Sequence, residues 1–133
     1  MKQPPHAGLT GEHTFAVEQK HAIEFADDAM PAVLATPILI GLMERTARQT
    51  LAPLLEDNER SVGIEIDLKH LAPSPIGAKV TVTARVIRAE GREITFQVEA
   101  RDEHEVISRG LHKRAIIRVE GFRKRVAAKA GMR

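Results

Sequence analysis

Apolar residues fall at positions 38, 39, 40, 42, 43, 47, 51, 54 and 55, a spacing that closes on a helix rather than a strand. The first half of that run is apolar nearly all round, which predicts a buried helix rather than a surface one. Thr36 is suited to cap the start, and Pro37 to the first helical position. Pro53 and the polar run "EDNE" end it. After residue 60 the period changes to two. "SVGIEIDLKHL" puts Val62, Ile64, Ile66, Leu68 and His70 on one face of a strand, and Gly63, Glu65, Asp67 and Lys69 on the other. "KVTVTARVIRA", "EITFQVEAR" and "VISRGLHKRAIIRVE" alternate in turn, the second with Ile94, Phe96, Val98 and Ala100 inward. The intervening "APSPIGA", "EGR" and "DEHE" read as a loop and two hairpin turns. Upstream, "EHTFAVEQ" alternates weakly as a first strand, and "HAIEFADDAMPAVLA" is an irregular linker, placed to cover something.

The order is therefore strand, long helix, four antiparallel strands. A single helix so apolar has to be wrapped by the sheet. That predicts an α+β hot-dog fold: a five-stranded antiparallel sheet around one long central helix. Residues 1–133 form one domain on this reading, with 1–8 a loose leader and 123–133 a basic tail. Hot-dog domains pair through their sheets, so a homodimer or higher oligomer is expected by analogy.

Composition narrows the chemistry. There is no cysteine, which excludes disulfides and thiolate catalysis. The six histidines show no ligand spacing such as His-x-x-x-His, so no metal is expected. Four Phe with no Tyr or Trp offer no stacking platform for nucleic acid. No apolar run approaches a membrane span and nothing resembles a signal peptide, so a cytoplasmic location without membrane contact is expected. The net charge is only +2, but positive charge collects in "HKRAIIRVEGFRKRVAAKAGMR". That stretch is either a solvated tail or a surface for an anionic ligand such as a nucleotide phosphate.

Two polar groups interrupt apolar faces: Glu44 in the helix and His70 in the strand. Each alone has an ordinary explanation. Glu44 can pair with Arg48 at i+4, and a histidine on an apolar face is commonly a hydrogen-bonded core residue. Together, on a helix and strand that the fold makes neighbours, they outline a site. Thr36 stands where a helix start presents free N–H groups to a developing negative charge. Gly63, inside a strand, marks either a bulge or a close approach by a ligand. Thr36 and Glu44 are about 12 Å apart along a helix, so a site using both on one bond would be shared between two subunits.

"ATPILIGLMERTARQTLAPLL", "SVGIEIDLKHLAPSPIGAKVTVTA" and "GLHKRAIIRVE" resemble the fluoroacetyl-CoA thioesterase-like branch of the hot-dog thioesterases, from about residue 33 to about residue 125. The resemblance implies hydrolysis of an acyl-CoA to a carboxylic acid and free coenzyme A, with no cofactor beyond the coenzyme A of the substrate. It implies Thr36, Glu44 and His70 as catalytic residues, Gly63 as a contact near the thioester carbonyl, and Arg114 as a ligand-binding or site-supporting residue. Basic residues from Arg114 to Lys124 would then meet the coenzyme A phosphates. The segment from His21 to Ala35 is shorter than that family's lid and offers only Phe25 as an aromatic; Pro37 and Arg45 stand where the family carries a Gly and an aromatic. These departures concern preference for fluorine, not the core chemistry. The competing expectation is a non-catalytic acyl-CoA-binding sensor, a class that tends to lack the acid and to carry a DNA-binding extension.

Overall fold

The computed structural model describes residues 1–132. In chain order it runs β1 (Thr10–Ala16), α1 (Thr36–Leu51), β2 (Glu59–His70), β3 (Lys79–Glu90), β4 (Glu93–Arg101), β5 (Val106–Arg118) and α2 (Val119–Ala130). One five-stranded sheet has the order β1-β3-β4-β5-β2, and every neighbouring pair is antiparallel. The turn between β3 and β4 passes through Gly91 at φ 59°, a left-handed conformation that favours glycine. The sheet curls over α1, the wrapping expected from the apolar helix. Leu39, Met43, Ala47 and Leu51 on α1 are fully buried, against Val80, Val82, Ala84 and Val86 of β3 and the alternating Ile94, Phe96, Val98 and Ala100 of β4. β2 is an edge strand, and so is β1. No helix among the described residues is long and apolar enough to cross a membrane.

Several sequence expectations need correction. α1 is not buried all round within the chain. Its covered face is a stripe, while Ile38 is 36% exposed and Gly41 is open. The helix is amphipathic here because the sheet covers only one side of it.

β2 does not keep one phase. Its register against β5 slips between Gly63 and Glu65, so one extra residue is accommodated in β2. Before the slip this face carries Glu59 and Ser61, both buried; after it the same face carries Ile66, opposite His112 yet 38% exposed, then Leu68, packed on the core, and His70, opposite Ser108. Val62 therefore leaves the face it was assigned to, and Gly63 joins it.

Thr36 does not cap α1. Ala35 occupies the N-cap with extended backbone and Thr36 is the first helical residue, so its hydroxyl is free for other work.

The first eight residues are held, not loose: Lys2 N–H donates to Leu54 O at 2.7 Å, Gly8 N–H donates to Val86 O at 2.7 Å, and Pro5 is buried. The basic tail is also structured. Residues 119–130 form α2, whose side chains carry no buried residue; Arg133, the end of the expected tail, lies outside the described residues.

Candidate active site

Thr36 opens α1 and His70 closes β2. The fold brings these chain-distant ends together, with Thr36 Oγ1 2.7 Å from His70 Nδ1. The other ring nitrogen, Nε2, is buried with no hydrogen-bond partner. Burial pushes the His70 imidazole below its usual pKa, so the neutral ring persists to lower pH than in water. A hydroxyl on a neutral imidazole is a proton-transfer pair. It lines a cleft of about 310 Å³ together with Phe25, Met30 and Leu71.

The wall of that cleft comes from the linker. Residues 22 to 34 fold back on themselves, with Ile23 N–H donating to Val33 O at 2.9 Å. The Asp27 carboxylate accepts from the N–H groups of Ala29 (2.9 Å) and Met30 (2.7 Å). Those bonds hold the Asp27 carboxyl below its ordinary pKa and fix the turn that presents Phe25 and Met30. The linker does cover something, and Met30 joins Phe25 in doing so.

Glu44 lies in a second cluster. It is not a buried acid: its side chain is 44% exposed, and its ionic partner is Arg114, with Nη1 3.8 Å from Oε2. Arg48 at i+4 makes no such ion pair. Two clefts of about 280 Å³ flank Glu44, one lined by Gly41, Arg45, Arg48 and Arg114, the other by Gly63, Ile64, Ile66 and His112. A Cβ at Gly63 would overlap Glu44 Oε2 and crowd His112 Cε1 at 3.2 Å. The missing side chain is what leaves room for the carboxylate.

Arg114 is buried, at 4% exposure. Its Nε donates to Ser61 Oγ at 2.8 Å, Nη2 to Ser61 O at 2.9 Å, and Nη1 to Glu44 O at 3.4 Å. The guanidinium is thus held inside the fold, while Arg118, Arg123 and Lys124 are exposed.

The structure thus pairs Thr36 with His70, and Glu44 with Gly63 and Arg114, as two groups within one chain. It also adds His112, which sequence reading missed. His112 is buried and stands 3.1 Å from Arg114 Nη1. The signal was present: in β5, His112 and Arg114 occupy alternate positions on the face that Ile116 also buries.

Comparison with known proteins places these features in a family. Residues 17–120 match the family described as fluoroacetyl-CoA-specific thioesterase, FlK. The fluoroacetyl-CoA thioesterase of Streptantibioticus cattleyicolor is 39% identical over 137 residues, covering 97% of each chain. A crystal structure of a point variant of the fluoroacetyl-CoA-specific thioesterase FlK, in complex with fluoroacetate and CoA, superposes with a TM-score of 0.81 at 36% identity, covering 89% of this chain and 99% of that one. A hot-dog-like protein from Thermanaerovibrio acidaminovorans superposes with a TM-score of 0.88 at 26% identity, covering 96% and 94% respectively.

Proposed function

The chain belongs to the fluoroacetyl-CoA-specific thioesterase family, and on that premise we propose that it is an acyl-CoA thioesterase releasing a short or medium carboxylic acid and free coenzyme A. The observation that carries the reading is the Thr36–His70 pair, 2.7 Å apart, with the far ring nitrogen buried and unpartnered. Glu44 supplies the base. Its carboxylate takes a proton from water, and the water oxygen adds to the thioester carbonyl. The carbonyl oxygen becomes negative and is met by N–H groups near Gly63 or at the start of α1. Pro37 has no N–H, which narrows the donors at that helix start. As the C–S bond breaks, the proton that Glu44 took from water passes to the leaving thiolate through the Thr36–His70 pair, which restores the carboxylate. One thioester and one water become one acid and one thiol.

The two clusters act on one bond if they face each other across copies of the chain, a homodimer or higher. Supporting this, β2 is an edge strand whose residues Ile64 (49% exposed) and Ile66 (38%) lie open beside Glu44. Uncovered apolar groups on a free strand edge invite a partner strand.

The test is thiol release from a panel of acyl-CoAs, for wild type beside Glu44→Ala and His70→Ala. With no cysteine in the chain, the protein contributes no thiol background. Wild type should turn over, and each variant should lose about 10²-fold or more. Binding without release in wild type would instead favour the acyl-CoA sensor.

A further inference from the structure

We propose that His112 is a positioning residue for hydrolysis: held as its Nδ1–H tautomer, it fixes Arg114 so that the guanidinium keeps the Glu44 carboxylate on the cleft wall. The proposal rests on the thioesterase reading and on Glu44 as its base.

The tautomer follows from the partners. His112 Nδ1 lies 2.8 Å from the carbonyl oxygen of Glu65. A carbonyl only accepts, so Nδ1 carries the proton. Nε2 lies 3.1 Å from Arg114 Nη1, and a guanidinium only donates. Nε2 must therefore offer its lone pair, and the ring is neutral. An imidazolium would turn a second N–H toward Nη1 and set two cations together in a buried space.

The bulge in β2 makes this possible. Glu65 is the first residue paired after the register slip, and its carbonyl is the group His112 reaches. Ser61, on the other side of the slip, holds Arg114 by its hydroxyl and its carbonyl. The guanidinium is gripped from both halves of β2, and its Nη1 edge is left toward Glu44. Phe96 backs the imidazole, with ring centroids 6.4 Å apart and planes 27° from parallel. A position this buried would be filled more simply by an aliphatic side chain. An aliphatic here would leave the Glu65 carbonyl and one N–H of Arg114 unpaired, and Arg114 free to tilt.

The experiment compares His112→Asn, His112→Gln and His112→Leu in the full chain, each alone and combined with Glu44→Gln. Thiol release gives kcat and KM, and thermal unfolding is followed in parallel. Asn keeps a donor for Glu65 but withdraws the acceptor from Arg114; Gln keeps an acceptor where Nε2 stands. Asn and Leu should lower kcat by about 10- to 10²-fold, the scale of a small misplacement of a reacting group, with KM changed little. Gln should recover most of the rate. With Glu44→Gln in place, the His112 substitutions should add no further loss. Should Leu fail to fold, the contrast between Asn and Gln decides the matter alone. Wild-type kcat in His112→Asn overturns the proposal. So does an equal loss with and without the Glu44 carboxylate, since that is packing. A wild type that releases no thiol overturns the hydrolase reading and takes this proposal with it, which keeps the two failures distinct.

Discussion

At the scale of single residues, polarity on an apolar face picks out positions but not their partners. Glu44 and His70 could be picked out because each interrupts a run of aliphatics. Thr36 could be noticed but not understood: its hydroxyl looked like a cap, and only the fold shows it reaching the imidazole instead. His112 goes unnoticed beside the charged Lys113 and Arg114, although its alternation with Ile116 marks it as facing inward. Two predictions belong here. Burial lowers the His70 pKa, and the proposed mechanism uses the ring in its neutral form. The rate should therefore fall on the acid side only as pH drops through a value below the ordinary histidine range of about 6.5. A pH profile of kcat/KM with an acid limb above that range would contradict this. Gly63→Ala places a Cβ on Glu44 Oε2, so the carboxylate must swing away. The chain should fold and lose about 10²-fold in kcat, as steady-state kinetics beside circular dichroism would show.

At the scale of elements, alternation identified β3, β4 and β5 because each keeps one phase over most of its length, β3 slipping only past Val86 and β5 only before Ser108. β2 breaks phase near its middle, so alternation read back from Ile66 and His70 puts Val62, before the slip, on the wrong face. Nothing in "SVGIEIDLKHL" shows where the slip falls, apart from the glycine beside it. α2 reads as a tail in the sequence because its positive charge outweighs its weak apolar spacing, and the structure leaves none of it buried. The start of β2 depends on Glu59, buried and ion-paired to the Met1 amino group at 2.7 Å and to Arg92 at 2.8 Å. Chiefly the Met1 amino group, then the Glu56 N–H and Arg92, hold its pKa down to about 2. A carboxylate so depressed favours the folded state above the ordinary glutamate range of about 4.3. That contribution is lost as pH falls from there to about 2. Urea unfolding midpoints measured across that window should decline in wild type and decline less in Glu59→Gln. Where β2 and β5 cross closely, a Cβ at Gly110 would overlap Asp67 O and sit 2.8 Å from Leu68 Cα. Backbone atoms do not yield as side chains do, so Gly110→Ala should lose about 1–3 kcal/mol by chemical denaturation.

At the scale of the whole molecule, the helix that looked apolar all round made the fold legible before its reason was clear. The sheet buries one face of α1, and the exposed Ile38 lies on the side left open. The proposed pairing of copies gives that face an occupant and brings Glu44 of one copy toward Thr36 and His70 of another. Mixing Thr36→Ala with Glu44→Ala, each inactive alone, should then restore about a quarter of wild-type activity. Half of randomly mixed dimers are hybrids, and each hybrid carries one intact site of two. No recovery after unfolding and refolding the mixture would place the site within one chain.

The enclosed Arg114 guanidinium has a consequence for how such a chain can drift over generations. Active-site acids are usually a liability to folding, so their loss tends to stabilise the protein that loses them. Here the acid is also the counter-charge to a largely buried cation, 4% exposed. A lineage discarding Glu44 strands that cation, and recovers only by replacing Arg114 and its histidine together. On the proposed mechanism, catalysis and stability are under the same selection at this position, and the one change that ends turnover also costs stability.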